Sequence, residues 1–180
     1  MKDLSKIYNH LYQKEYGVSN RFQFVVELIK TFSGKKILDL GCGKGTYSVI
    51  LEGMGYDVMA TDIIDRDLVN FENYYISTDY KYRKVESIMC LDVLEHIPEE
   101  EVPTMLKAMY ESCEQAFITI SHYKAHNKGP NGEELHLTVK PPLWWERKLI
   151  EAGFEPFHYE EVTRFGMSVY GLKGKLRADK

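Results

Sequence analysis

Three glycines at alternate positions follow a short apolar run in the segment Ile37–Gly45, which reads ILDLGCGKG. Because glycine lacks a Cβ, these positions let a ligand approach the backbone closely and permit turn angles that other residues resist. A helical pattern begins at Thr46, and the free N–H groups at a helix start can bind a carboxylate. Asp39 precedes the first glycine, where its carboxylate either orders the turn or holds a ligand's ammonium group. The segment therefore predicts a ligand site at the end of a strand.

The glycine spacing separates this loop from two better-known nucleotide loops. Dinucleotide-binding folds use Gly-x-Gly-x-x-Gly, whereas Gly41, Gly43 and Gly45 follow the pattern Gly-x-Gly-x-Gly. A Walker A loop requires Ser or Thr after its lysine, and Lys44 is followed by glycine. Neither template fits, although the strand–loop–helix context is the one that a nucleotide-like ligand needs.

Asp62 directly follows the next predicted strand, Tyr56–Thr61. A carboxylate in this position can accept hydrogen bonds from both hydroxyls of a ribose, as the acidic residue of nucleotide-binding folds does. The alternative is that Asp62 caps the turn that follows it.

The hydrophobic pattern predicts strands that alternate with helices, which favours a parallel sheet covered on both faces. Two consecutive strands at the end indicate an antiparallel hairpin at one edge. Ligands in such sheets lie beyond the carboxyl ends of the strands, where the strand order reverses. The predicted helices are 4–16, 19–34, 46–54, 98–112 and 143–152, and the predicted strands are 37–40, 56–61, 74–76, 86–91, 116–121, 154–159 and 162–170.

The 180 residues predict one domain, 1–180, in which residues 1–34 form a helical cap and residues 122–142 a loop on the substrate side. A hydrophobic fraction of 44% is enough to build a core. The sequence has no apolar run of about 20 residues and no signal-type start, so we expect a cytoplasmic protein without a membrane partner.

The chain carries 23 basic and 27 acidic side chains, a formal net charge of −4. Since non-specific nucleic-acid binding depends on basic surface, this balance disfavours a nucleic-acid partner without excluding one. The three cysteines, Cys42, Cys90 and Cys113, form no Cys-x-x-Cys pair, which indicates reduced thiols rather than disulfides or a zinc site. The oligomeric state is not predicted.

Four segments together resemble the class I S-adenosylmethionine (SAM)-dependent methyltransferases. The segment 37–45 resembles motif I of that family, and 58–62 (VMATD) resembles its second strand with a ribose-binding acid. The segment 87–97 (SIMCLDVLEHI) is similar to the fourth strand and the "LEH" turn after it, and 149–155 (LIEAGFE) to the passage into the last strands. The resemblance spans roughly Lys35 to Tyr159.

The resemblance implies a Rossmann-like, doubly wound α/β/α sandwich with a mostly parallel seven-stranded sheet and an antiparallel C-terminal strand. It also implies SAM as cofactor and S-adenosylhomocysteine as product. Carried over by position, the glycine loop meets the methionine part, Asp62 the ribose and Ile63 the adenine, while Asp92 and Val93 face the ligand from the fourth strand. The cofactor contacts so implied are Asp39, Gly41, Cys42, Gly43, Gly45, Asp62, Ile63, Asp92 and Val93.

Two departures from the family pattern affect these expectations. The stretch between Asp62 and Ser87 is short, so the usual intervening helix must be reduced. Asp79 is the candidate acid for the adenine, with a surface turn residue as the alternative. The Asn/Asp-Pro-Pro-aromatic motif of base-amino methyltransferases is absent after the fourth strand, which argues against methylation of adenine N6 or cytosine N4.

Histidines are the candidates for a general base on the acceptor side. His122 and His136 are the two predicted catalytic residues, each with a structural role as the alternative, whereas His96 is expected to hold the "LEH" turn. The histidine spacings, with Glu133 or Glu134 as a further ligand, match no zinc signature, so no metal is expected.

The sequence thus favours a SAM-dependent methyltransferase that acts on an O or N atom of a small molecule, with the loop 122–142 or a partner shaping the acceptor site. Of Trp144 and Trp145, at most one can face the pocket, because neighbours on a helix point about 100° apart. The alternatives are a methyltransferase for nucleic acid or protein, a SAM-binding module without catalysis, and, more distantly, a nucleotide-binding oxidoreductase.

Overall fold

A computed structural model of the protein describes residues 4–13, 25, 30, 34–64, 71–73, 84–163 and 166–175. It contains seven strands in the order β3-β2-β1-β4-β5-β7-β6. The strands are β1 (Lys36–Leu40), β2 (Asp57–Asp62), β3 (Phe71–Asn73), β4 (Val85–Leu91), β5 (Cys113–Ser121), β6 (Glu155–Val162) and β7 (Met167–Lys173).

Strand direction confirms the predicted doubly wound sheet. The pairs β1–β2, β1–β4, β2–β3 and β4–β5 are parallel, whereas β7 runs antiparallel to both β5 and β6. The chain builds outward from β1 to β3 and then crosses to β4 on the other side of β1. The carboxyl ends of β1 and β4 therefore flank the switch point at which such sheets bind ligands.

Four helices and one short 3₁₀ helix accompany the sheet in the described residues. They are α1 (Leu4–Tyr12), α2 (Thr46–Gly53), α3 (Val102–Ser112), α4 (Pro142–Ala152) and the 3₁₀ helix Leu94–His96. No helix in this part of the chain is both long and apolar enough to cross a bilayer.

Alternation along the strands divides the core between the two faces of the sheet. Leu38 of β1 belongs to a large cluster that contains residues of α3 and α4, whereas its neighbour Ile37 belongs to a smaller cluster with Leu51 of α2. Trp145 is fully buried in the larger cluster, and Trp144 contacts it edge to face at 4.9 Å. Trp145 is thus a core residue, and helices cover both faces.

Several predicted boundaries differ from the structure. The third strand is Phe71–Asn73, while the predicted 74–76 lies outside the described residues. Helix α3 begins at Val102 rather than Pro98, because Pro98 accepts a turn hydrogen bond from Glu101 N, and Pro103 occupies the first helical turn. Val162 ends β6 instead of beginning β7.

The N-terminal predictions are only partly covered. Helix α1 ends at Tyr12, and most of the second predicted helix, including its proposed start at Ser19, lies outside the described residues. Within α1, Ile7, Tyr8 and Leu11 are buried against Ile64, at the end of β2, and Leu135 of the loop 122–142. This helix therefore packs near the carboxyl edge of the sheet.

Candidate cofactor and acceptor site

The glycine loop connects β1 to α2 in a conformation that requires its glycines. Gly41, Gly43 and Gly45 have φ values of 79°, 59° and 74°, a region that other L residues rarely adopt. A Cβ added to Gly41 would stand 2.5 Å from a methyl carbon of Val93. The backbone N–H groups of Gly41 and Cys42 both donate to the carbonyl of Thr61, each at 2.9 Å. The loop is thus fixed between the ends of β2 and β4.

Asp39 lies buried under this loop, with only 3% of its surface exposed. Ser48 Oγ, from the first turn of α2, donates to Asp39 Oδ2 at 2.5 Å. Burial raises the pKa of Asp39 to about 7; the Ser48 hydrogen bond opposes this rise, and the nearby Asp62 carboxylate adds to it. A cationic group of a ligand beside Asp39 would stabilise the ionised carboxylate and so lower this pKa.

Asp62 joins the end of β2 to the glycine loop. Its Oδ2 accepts a hydrogen bond from Gly43 N at 2.8 Å, and its Oδ1 accepts from Ile64 N at 3.1 Å. The second bond is the turn-capping role that was the alternative to ribose binding. A carboxylate has about four acceptor positions, so capping leaves acceptor capacity for ligand hydroxyls.

Asp92 and Val93 follow β4, beside the glycine loop. Asp92 is the single non-glycine residue with a positive φ, 55°, among the described residues. Thr119 of β5 donates from Oγ1 to Asp92 Oδ1 at 2.8 Å, and its carbonyl accepts from Asp92 N at 3.0 Å. Such strained positions concentrate at functional sites, and these bonds hold this one in place.

The "LEH" turn after β4 is tied to the loop 122–142. Glu95 is fully buried, and its Oε1 accepts from Ser121 N at 3.0 Å. Thr138 donates from its backbone N to the Glu95 carbonyl at 2.9 Å and from Oγ1 to the Ile97 carbonyl at 2.6 Å. His96 Nδ1 lies 2.9 Å from the Leu135 carbonyl oxygen. The expectation that His96 holds this turn agrees with these contacts.

The structure separates the two predicted catalytic histidines. His122 has a partner on each ring nitrogen: the Lys140 carbonyl at 3.1 Å and Ser168 Oγ at 2.7 Å. His136 contacts the Tyr123 carbonyl through Nδ1, and its ring lies edge to face on His96 at 4.7 Å. Desolvation lowers the pKa of His122 below its usual value. It also lowers that of His96 to about 4, with His136 as the next cause.

The remaining predicted residues occupy different places. Cys42 is partly exposed in the loop, with its thiol 3.9 Å from the Gly43 carbonyl. Ile63 packs against the cluster formed by α1. His126 is exposed. Asp79 lies outside the described residues, so its assignment to adenine stays a prediction.

Sequence reasoning missed several residues of this site. The hydroxyl of Ser48 orients Asp39, and the hydroxyl of Thr119 orients Asp92. The hydroxyl oxygen of Tyr8 lies 2.6 Å from His96 Nδ1. The position of Ser48 in the first turn after the glycine loop was a usable signal. Nothing local in the sequence marks Thr119, because its partner is distant along the chain. Tyr8 is one of three tyrosines at spacing four (Tyr8, Tyr12 and Tyr16), a pattern that indicates packing rather than a contact with His96.

The geometry fits a SAM-type ligand. Three features supply the contacts that an amino acid and a ribose need. They are the glycine loop, which leaves room near Val93, the Asp39 carboxyl group buried beneath it, and the Asp62 carboxylate at the end of β2. These groups come from adjacent strands at the switch point.

A family profile, that of the tellurite resistance protein TehB, matches residues 6–116, more than half of the chain. The chain belongs to this TehB family of class I SAM-dependent methyltransferases, which confirms the resemblance predicted from the motifs.

Individual relatives agree with this assignment. The probable SAM-dependent methyltransferase TehB of Haemophilus influenzae (strain 10810) is 31% identical over 113 residues, which cover 56% of this chain and 40% of that protein. The ubiquinone biosynthesis O-methyltransferase of Bordetella avium (strain 197N) is 27% identical over 94 residues, covering 44% of this chain and 39% of the relative. The chain thus matches about two fifths of the length of these relatives.

A solved structure extends the comparison of folds. The 1,6-didemethyltoxoflavin-N1-methyltransferase of Burkholderia thailandensis, with 1,6-didemethyltoxoflavin and S-adenosylhomocysteine bound, superposes with a TM-score of 0.72. The match covers 96% of this chain and 88% of that one at 15% identity, and it therefore shows a shared fold.

Proposed function

We propose that this protein transfers a methyl group from SAM to an oxygen or nitrogen atom of a small molecule. The observation that carries the proposal is the convergence of Asp39, Asp62 and the glycine loop at the switch point of the sheet. A relative named as a ubiquinone biosynthesis O-methyltransferase, and a protein of the same fold named as a 1,6-didemethyltoxoflavin-N1-methyltransferase, support the proposal of a small acceptor.

Each part of the site has a proposed partner on the cofactor. Asp62 accepts from the ribose hydroxyls while it keeps its bond to Gly43 N. Asp39 and the loop that contains Gly41, Cys42, Gly43 and Gly45 hold the methionine part. Ile63 packs on the adenine, and Asp92 with Val93 bounds the ligand from the β4 side.

Bound SAM supplies a methyl group on its sulfonium sulfur. Transfer of this group requires the acceptor atom to lie in line with the sulfur–carbon bond that breaks. The protein's contribution to such a step is mostly alignment. Asp92, with its strained backbone, and the close approach of Gly41 to Val93 fix the side of the site formed by the ends of β1 and β4. Helix α1 and the loop 122–142, which pack against each other, enclose the opposite side. Enclosure by these two elements would exclude water from the acceptor.

On the acceptor side, we propose His136 rather than His122 as the catalytic histidine, with its Nε2 facing the acceptor. Because a carbonyl oxygen only accepts, the contact with Tyr123 places a proton on His136 Nδ1 and a lone pair on Nε2. His122 has both nitrogens engaged, so its role is to join the loop 122–142 to β7.

We also propose that residues 1–180 form a single domain. The seven strands between residues 36 and 173 belong to one sheet, and α1 packs against both β2's end and the loop 122–142. These contacts support an N-terminal cap and a substrate-side loop as parts of that domain.

Two measurements test the proposed function. Calorimetric titration should show binding of SAM and S-adenosylhomocysteine, and binding of NAD instead would overturn the proposal. Radiolabelled SAM, offered with the protein to a fractionated cell extract, should label small molecules. Label in protein or nucleic acid would reassign the acceptor, and SAM binding without any transfer would indicate a non-catalytic module.

A further inference from the structure

Two imidazoles and one carboxylate meet where the loop 122–142 reaches the "LEH" turn. One ligand atom from each of Glu95, His96 and His136 lies within 4.8 Å of the others. Glu95 and His96 are neighbours in sequence, but His136 is contributed from a different part of the fold. From the sequence, these histidines with Glu133 or Glu134 predicted no metal, because sequence spacing does not reveal that Glu95 lies beside His136.

The contacts of His96 determine its tautomer. The Leu135 carbonyl oxygen, 2.9 Å from Nδ1, can only accept, so Nδ1 carries the proton and Nε2 carries the lone pair. The Tyr8 hydroxyl oxygen lies 2.6 Å from the same Nδ1 and shares that donor.

His136 repeats this arrangement. Its Nδ1 donates to the Tyr123 carbonyl, which leaves the lone pair of Nε2 available, and its ring lies at 85° to that of His96. Histidines that ligate metals typically donate their other ring N–H to a carbonyl or carboxylate, which fixes the ring and the tautomer. Both histidines therefore have the orienting contact of a metal ligand.

The backbone around these side chains is fixed before any ion binds. Ser121 N holds Glu95 Oε1, and Thr138 holds the turn through two hydrogen bonds. In a tetrahedral zinc site the ligand atoms are roughly 3.3 Å apart, given metal–ligand distances of about 2.0–2.2 Å. The ligand atoms of this cluster, at most 4.8 Å apart, would have to approach one another by up to about 1.5 Å to reach that geometry.

We propose that Glu95, His96 and His136 form a binding site for one divalent transition-metal ion of the zinc type. Two nitrogens and one carboxylate oxygen suit zinc and its neighbours, whereas Mg²⁺ and Ca²⁺ prefer oxygen ligands throughout. Three protein ligands leave a coordination position open. That position would receive an acceptor oxygen or nitrogen, an extension that rests on the proposed methyltransferase function.

The test is direct metal binding by the purified full chain after dialysis against a chelator. Zn²⁺ affinity is measured by competition with a chromophoric chelator, and Co²⁺ is followed by its visible absorption. The variants are His136→Ala and Glu95→Gln, which keeps an oxygen for Ser121 N. His126→Ala is the matched control, an exposed histidine of the same loop, and Cys42→Ser tests the partly exposed thiol.

The proposal predicts one ion per chain, with affinity at least about 100-fold weaker in His136→Ala and Glu95→Gln and within about threefold in the two controls. Absence of stoichiometric binding, binding unaffected by those two variants, or binding lost in Cys42→Ser would overturn it. SAM titration of the same samples separates the two proposals. Metal binding without SAM binding defeats the proposed function, and SAM binding with transfer but no metal binding defeats the metal site.

Discussion

Ser48 Oγ donates a hydrogen bond of 2.5 Å to Asp39 Oδ2 beneath the glycine loop. Burial raises the pKa of the Asp39 carboxyl group, and this bond opposes the rise, so that the resulting pKa is about 7. The group therefore changes its charge near physiological pH. The hydroxyl of a helix residue thereby helps to control the charge at the proposed methionine end of the cofactor site.

The first prediction concerns the pH dependence of SAM binding. If the ionised Asp39 attracts the ammonium group of SAM, affinity should rise as the pH increases from about 6 to about 7.5, because the carboxyl group ionises over that range. Ser48→Ala should move the midpoint to higher pH, since it removes a contact that lowers the pKa. Calorimetry at several pH values measures both effects. An Asp39→Asn variant should lack the dependence, and a flat wild-type profile would contradict the assignment.

The same shift has a consequence for stability. A folded-state pKa of about 7, against the ordinary value of 3.8 for this carboxyl group, means that the folded protein binds this proton more tightly than the unfolded chain does. The contribution of Asp39 to the free energy of unfolding therefore falls between about pH 4 and pH 7 and is constant above that range. Urea unfolding at several pH values gives the free energy of unfolding as a function of pH. Over this interval that free energy should change with pH more steeply in wild type than in Asp39→Asn. An equal pH dependence in the two proteins would show that Asp39 does not titrate there.

Asp62 is predicted to contribute directly to SAM affinity. Asp62→Asn should weaken SAM binding by about 1–3 kcal/mol, because charge-assisted hydrogen bonds to the ribose are lost. Asp57→Asn is the matched control, since Asp57 is an exposed residue at the start of the same strand. Calorimetric titration of both variants checks the prediction, and equal affinities would remove Asp62 from the ribose contact.

Gly41 and Val93 are predicted to be energetically coupled. Gly41→Ala places a Cβ 2.5 Å from a Val93 methyl carbon at a φ of 79°, so both overpacking and backbone strain should destabilise, by about 1–3 kcal/mol each. Adding Val93→Ala should relieve the overpacking but not the strain. Urea unfolding of the two single variants and the double variant measures the coupling.

Gly53→Ala is the control for that cycle, because the added Cβ would have no atom of the described residues within 4 Å beyond its own helix backbone and its chain neighbours, and the position lies in helix α2. It should be neutral or slightly stabilising. Strict additivity of Gly41→Ala and Val93→Ala would show that the loop relaxes away from β4.

The elements that sequence predicted well are those in which function and local structure share one short segment. The run Ile37–Gly45 contains a buried strand, a glycine loop and the start of a helix, and periodicity identifies all three without long-range information. Asp62 was found because parallel strands end at a common edge, so its position after a strand was enough to place it near the loop.

The acceptor side was less predictable for a physical reason. Glu95 meets His136 through hydrogen bonds that join the "LEH" turn to a loop without regular structure, and no period in the sequence records such pairing. His122 and His136 looked equivalent as histidines of one loop. Their different partners, Ser168 of β7 and the carbonyl of Tyr123, depend on tertiary packing.

Thr138 gives the last prediction, because its side chain holds the loop 122–142 to the "LEH" turn. Thr138→Val keeps the shape of the residue and its backbone bond to Glu95, but it leaves the buried Ile97 carbonyl without the donor at 2.6 Å. The cost should be about 1–2 kcal/mol in the free energy of unfolding. Since the cofactor contacts lie elsewhere, SAM affinity should be unchanged while hydrogen exchange in the loop becomes faster. Val139→Thr, an isosteric change at an exposed neighbouring position, should alter neither quantity, and unchanged exchange in Thr138→Val would show that other contacts hold the loop.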